Sequence, residues 1–178
     1  MEPRTPGAKL RYREGYFAVG EGPADQAKVK VAMQEAAMSP LDATALGMIV
    51  SSKWSGAGDQ RKVEFHVGVD PKQLLLQQEA DHRKGEVDLF FVQRNAKGDT
   101  VAAEDQRVGL DLEEKHYDYL AQAGLVFVRH VVIAPDAAEI KILARDTGSE
   151  AVGSVTIPIK TLTDALGPVP TLKLDNLK

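Results

Sequence analysis

From residue 44 onward, apolar and polar residues alternate, the period of a strand with one buried face. The segment 62–70, KVEFHVGVD, is the clearest case: Val63, Phe65, Val67 and Val69 share one face, and Glu64, His66, Gly68 and Asp70 the other. In 44–54, Leu46, Met48, Val50 and Trp54 line one face. Segment 86–95, EVDLFFVQRN, is apolar on both faces at its middle, as expected of a central strand. Asn95, Gly98 and Asp99 predict a hairpin into the strand TVAAEDQRVGLDL. Three more strands are expected over 125–134, 138–146 and 151–160. Pro158 has no N–H for a ladder, which makes the last an edge strand.

Two stretches have a helical period instead. In 25–38, Val29, Met33 and Ala36 fall on one face, Asp25 is placed to cap the first turn, and Ser39-Pro40 ends the helix. In 113–123, acidic residues suit the first turn, and Gly124 stands where a left-handed residue closes the helix. The expected organisation is a tail or linker over 1–24 with a short pairing island in YREGYFAV, a helix on the sandwich over 25–40, a β domain over 41–162 and a tail over 163–178. About seven strands with short connections should be largely antiparallel. The fold class expected is mainly β: an immunoglobulin-like antiparallel sandwich with an N-terminal helix and one short helix inserted between strands, a barrel being the alternative.

Composition narrows the chemistry. The 178 residues carry a net charge of -4 and no basic run beyond two residues, which argues against a nucleic-acid partner. There are no cysteines, so disulfides, thiolate metal sites and cysteine nucleophiles are excluded. No apolar run reaches the roughly 20 residues of a helical membrane span. The N-terminus has no apolar core of a signal peptide, so an export signal, if one is used, lies outside this chain.

One tetrapeptide looks catalytic. Asp146-Thr147-Gly148-Ser149 is the form in which aspartic proteases carry their aspartate. Such enzymes pair two aspartates on one proton. This chain has one Asp-Thr-Gly, preceded by the charged Arg145, with only about thirty residues after it. A turn between strands, with Asp146 at an exposed strand end, needs nothing further. The histidines have no metal-ligand spacing. His66 is expected on a polar face. His82 lies beside Glu79 and Asp81 in a solvated loop. His116 is expected at a helix surface, and either Arg129 or His130 must turn inward. No serine has a recognisable histidine partner. Tyr117, Tyr119 or Leu120 should dock the short helix on the sheet. The alternative is a sugar-stacking or peptide-binding face built from Trp54, Tyr117 and Tyr119. No catalytic, cofactor-binding or metal-binding residue is assigned, and no cofactor.

Several segments in order carry a family likeness: KLRYREGYFAVGEG, a helix ending AAMSPL, VEFHVGVDPKQL, GEVDLFFVQRNAKGDTV, and the run from LDLEEKHYDYL to TGSEAVGSVTIPI. This succession, with Arg13-Glu14-Gly15-Tyr16-Phe17-Ala18 as the connecting segment, resembles the C-terminal β-sandwich region of bacterial von Willebrand factor A-related proteins. The A domain and its Asp-x-Ser-x-Ser metal motif are absent from these residues. The resemblance implies an accessory, non-enzymatic module of an exported protein, secreted or periplasmic, with an unknown protein or cell-surface partner. A chain that starts natively at Met1 would instead be cytoplasmic.

Overall fold

In the computed structural model, residues 9–13, 23–55 and 61–164 are described. The fold is mainly β, with two antiparallel sheets. The elements are β1 (Lys9–Arg13), α1 (Pro23–Met38), β2 (Met48–Trp54), β3 (Lys62–Val69), β4 (Gln77–Glu79), β5 (His82–Arg94), β6 (Thr100–Glu113), α2 (Glu114–Ala123), β7 (Leu125–Val132), β8 (Glu139–Asp146) and β9 (Val152–Pro158). The larger sheet runs β1-β6-β5-β8-β9, with β4 beside the start of β5. The smaller runs β2-β3-β7.

Alternation along the strands builds the core between the sheets. Val63, Phe65, Val67 and Val69 of β3 are fully buried, as their period predicts. They meet Leu125, Phe127 and Val131 of β7, and Val87, Leu89, Phe91, Ile140 and Ile142 of the larger sheet, in one cluster. Phe65 and Phe91 bridge the sheets with ring centroids 6.0 Å apart. The double-sided apolar character of 86–95 has a separate cause. Phe90 and Val92 of β5, with Leu143 of β8, face away from that core and meet Met33 and Ala37 of α1 in a second cluster. α1 therefore covers the outer face of the larger sheet.

Several expectations shift. Pro23, not Asp25, opens α1. Proline suits that position because its missing N–H would have had no helical acceptor. The region expected as a tail contains β1, which pairs with β6 from Lys9↔Asp111 to Arg13↔Arg107. Most of the YREGYFAV island, and loop 56–60, lie outside the described residues. The charged loop before residue 86 is a hairpin: β4 returns into β5 at Ala80, whose φ is 54°. The single strand expected over 44–54 divides between the sheets. Thr44 bridges to Gly153 of β9, and after Gly47 the chain enters the smaller sheet as β2. Gly153 permits the crossing, because a Cβ there would strike the Leu46 carbonyl and lie 2.8 Å from Met48 Cγ. Asn95 organises the β5–β6 turn by accepting from the N–H groups of Lys97 and Asp99. Gly124 closes α2 at φ 83°.

Candidate functional site

The Asp-Thr-Gly motif is not at an exposed strand end: Asp146 is fully buried. Its Oδ2 accepts from Leu75 N–H at 2.9 Å, Ser149 N–H at 3.0 Å and Ser149 Oγ–H at 2.5 Å. Gly148 N–H approaches Oδ1 at 3.4 Å. A turn-forming aspartate is usually solvated. This one also ties down the chain leading into β4, because Leu75 crosses the turn so closely that a Cβ on Gly148 would lie 2.7 Å from its carbonyl. The carboxylate is a structural acceptor for four neighbouring donors.

The outer face of the larger sheet carries charges that close on one another. Asp88 accepts a bidentate pair from Arg107 at 2.7 and 3.0 Å and a third bond from Arg145 at 3.2 Å. Lys141, fully buried, donates to the carbonyls of Ser39 and Leu41, both at 2.8 Å. Burial pushes its ammonium below the ordinary lysine range, opposed by Asp42. Asp42 in turn accepts from Thr156 Oγ1 at 2.9 Å and Ser154 Oγ at 3.2 Å. These bonds strap 39–43 across β8 and β9.

The smaller sheet differs. Antiparallel register sets Lys53, Glu64 and His130 in one cross-strand row on its outer face, and Ser51, His66 and Val128 in the next. Glu64 is the hub. Its Oε1 meets His66 Nε2 at 2.6 Å and Lys53 Nζ at 3.4 Å, and its Oε2 lies 3.9 Å from His130 Nε2. The His66 bond above all, with Lys53, holds the Glu64 carboxyl below its usual value despite partial burial. Ser55 Oγ stands 3.4 Å from His130 Nδ1. Hydroxyl, imidazole and carboxylate in that order form a nucleophile relay only when each link is a short hydrogen bond. Here the imidazole–carboxylate link is long, and Glu64 is engaged by His66 and Lys53. The row is an ion-pair cluster across three strands.

The remaining expected residues do not converge. His66 is on the outward face as expected, yet almost fully buried. In register it lies between Ser51 and Val128, and it binds the Glu64 carboxylate. Arg129, not His130, turns inward, and reaches Glu104 at 3.5 Å. His82 pairs with Asp111 at 2.6 Å, while Glu79 turns to Lys84. His116 is partly covered rather than on the surface. Among the described residues, no group of three or more His, Cys, Asp or Glu is arranged to hold a metal ion. Trp54 packs on the core and donates Nε1–H to the Leu162 carbonyl at 3.3 Å. Tyr117 packs on the same core under the Arg83 guanidinium, 4.1 Å from its ring centroid, and Tyr119 stands exposed on α2. Leu120 alone of the three docking candidates is buried. The aromatic residues do not assemble into one stacking platform. No described helix is long and apolar enough to cross a membrane.

Glu64 and Lys53 were missed by sequence reasoning. The signal was a carboxylate two positions from a histidine on one strand face, but its partners become visible only with the cross-strand register. No family model, no curated protein and no solved structure matches this chain.

Proposed function

We propose that the chain is a non-enzymatic accessory module of an exported bacterial protein, an immunoglobulin-like sandwich that works through protein–protein or surface contact. The strand order supports the fold assignment. A β2-β3-β7 sheet faces a β6-β5-β8-β9 sheet, so hairpin partners stay together while β7 returns to the first hairpin. That is a Greek-key style of connection. The extracytoplasmic placement rests on the likeness of segment order to von Willebrand factor A-related proteins.

One observation carries the contact reading: the smaller sheet has no described helix on its outer face and ends in a strand rich in valine. Val132 is 66% exposed, Val126 and Val128 are half-buried, and His130 lies between them. Edge strands of this kind are natural sites for strand addition. A photo-crosslinking residue placed at Val126 in the intact protein should give a discrete cross-linked species. The same residue at Glu150, on the β8–β9 turn, should give none. Failure at Val126, or equal labelling from both positions, would remove the reading.

A further inference from the structure

We infer that the free edge of β7 pairs with β7 of a second copy of this chain, antiparallel and centred on Val128. The inference deepens the contact reading above and rests on it.

Each sheet has two edges, and they differ. β9 is covered: Leu46 N–H donates to its Val152 carbonyl, Ser154 N–H donates to Ala43, and Thr156 N–H donates to Asp42. β2 lies beside β9 as well as β3, and its Trp54 N–H donates to the Thr163 carbonyl. β1 has five residues, KLRYR, three of them cationic, a composition that discourages added strands. β7 has eight residues, no proline and no register shift against β3, and no other described element runs alongside it.

The backbone of β7 says which groups are free. Ile133 N–H donates to the carbonyl of Arg61, the residue just before β3, so odd-numbered residues turn their backbone groups toward β3. Even-numbered residues turn theirs outward. At one end these are satisfied: the Gln93 side chain donates to the Val132 carbonyl and accepts from Ala134 N–H, both at 2.8 Å. Val126, Val128 and His130 are left, with no backbone partner on that side among the described residues.

Self-pairing admits one register that uses all three. Val128 faces Val128 of the second copy, and Val126 faces its His130. Three such pairs each exchange two bonds, about six in all. A shift of one pair toward the C-terminus would set Arg129 against its own copy and call on the Val132 carbonyl, already taken by Gln93. A shift the other way leaves His130 unpaired. The chosen register opposes no like charges and places Phe127 beside Arg129 of the second copy.

The cysteine-free sequence makes the test clean. Directly paired residues have Cα atoms about 5.5 Å apart. A disulfide spans roughly 4.4–6.8 Å. Under mild oxidation Val128→Cys should therefore cross-link to a dimer while Val126→Cys, facing His130 of the second copy, should not. In the unmodified chain the amides of Val126, Val128 and His130 should exchange with solvent more slowly as protein concentration rises. His130→Pro should abolish both effects, because its N–H faces away from β3. Equal cross-linking from both cysteine variants would overturn the register. A monomer at every concentration with fast exchange at the three amides would overturn self-pairing, yet leave an open edge for a different protein. Slow exchange in a strict monomer would mean the edge is already covered, and would overturn both readings.

Discussion

The two sheets treat their outer faces in opposite ways. The larger sheet buries its outer apolar residues under α1, and its charges there close on one another: Asp88 with Arg107 and Arg145, Lys141 with two carbonyls. The smaller sheet has a single carboxylate shared among Lys53, His66 and His130. Charged groups turned inward need every partner supplied by the chain, because an unpaired one costs several kcal/mol. On the smaller sheet one carboxylate serves three partners, closely for His66 at 2.6 Å and loosely for His130 at 3.9 Å. On the contact reading proposed above, the larger sheet is the scaffold and the smaller presents the interacting surface.

If that division is right, the joint between the sheets is the most sensitive point. Gly153→Ala sets a methyl group against the Leu46 carbonyl and the Met48 side chain, where backbone must move. A loss of about 3 kcal/mol or more in urea unfolding is expected, because the nearest obstacle is backbone and not a movable side-chain end. A loss near zero would mean the 44–46 crossing is not held as described.

Asp146 tests whether the larger sheet is closed by wiring rather than by chemistry. Asp146→Ala strands the N–H groups of Leu75 and Ser149 and the Ser149 hydroxyl without their acceptor. A loss of about 2–4 kcal/mol is expected, with Asp146→Asn milder because its amide keeps one acceptor oxygen. A variant as stable as the parent would end the structural role of the motif.

These two residues also mark what the sequence discloses. Strand period identified the core face of β3 residue by residue, because burial between two sheets acts on every second side chain. Asp146-Thr147-Gly148-Ser149 was legible as a turn for the same local reason. That the aspartate is buried was not, since Leu75, seventy-one positions away, is what covers it. The Lys53–Glu64–His130 row has the same origin: three strands supply it, and register is a long-range property. β4 escaped because QQE has no apolar alternation to signal a strand, and its pairing is fixed by the turn at Ala80.

Lys141 sharpens the comparison through pH. Its folded-state value lies below the ordinary one because burial disfavours the charged form. Between the two values unfolding takes up a proton, so stability rises with pH across that alkaline window and is lower beneath it. Lys141→Met should cost about 1–3 kcal/mol at neutral pH by freeing the carbonyls of Ser39 and Leu41, and should remove this alkaline rise. Urea unfolding as a function of pH, parent against variant, measures both.

The smallest effect belongs to the outer face of the smaller sheet. Glu64→Gln removes the charge that His66, Lys53 and His130 share, and should cost about 1 kcal/mol at neutral pH, as for other partly exposed ion pairs. The sign of its pH dependence is the same as that of Lys141, stability rising with pH, but the window lies in acid rather than in alkali. Glu64 has a folded-state value below its unfolded one, so its contribution is present above the ordinary carboxylate range and is lost as the pH falls through the folded value. Parent and variant should therefore converge in acid. Because the substituted amide retains an acceptor oxygen for His66, the sheet itself should stay paired. A cost for Glu64→Gln as large as that for Asp146→Ala would mean that the smaller sheet is as tightly wired as the larger, and the division between scaffold and surface would fail.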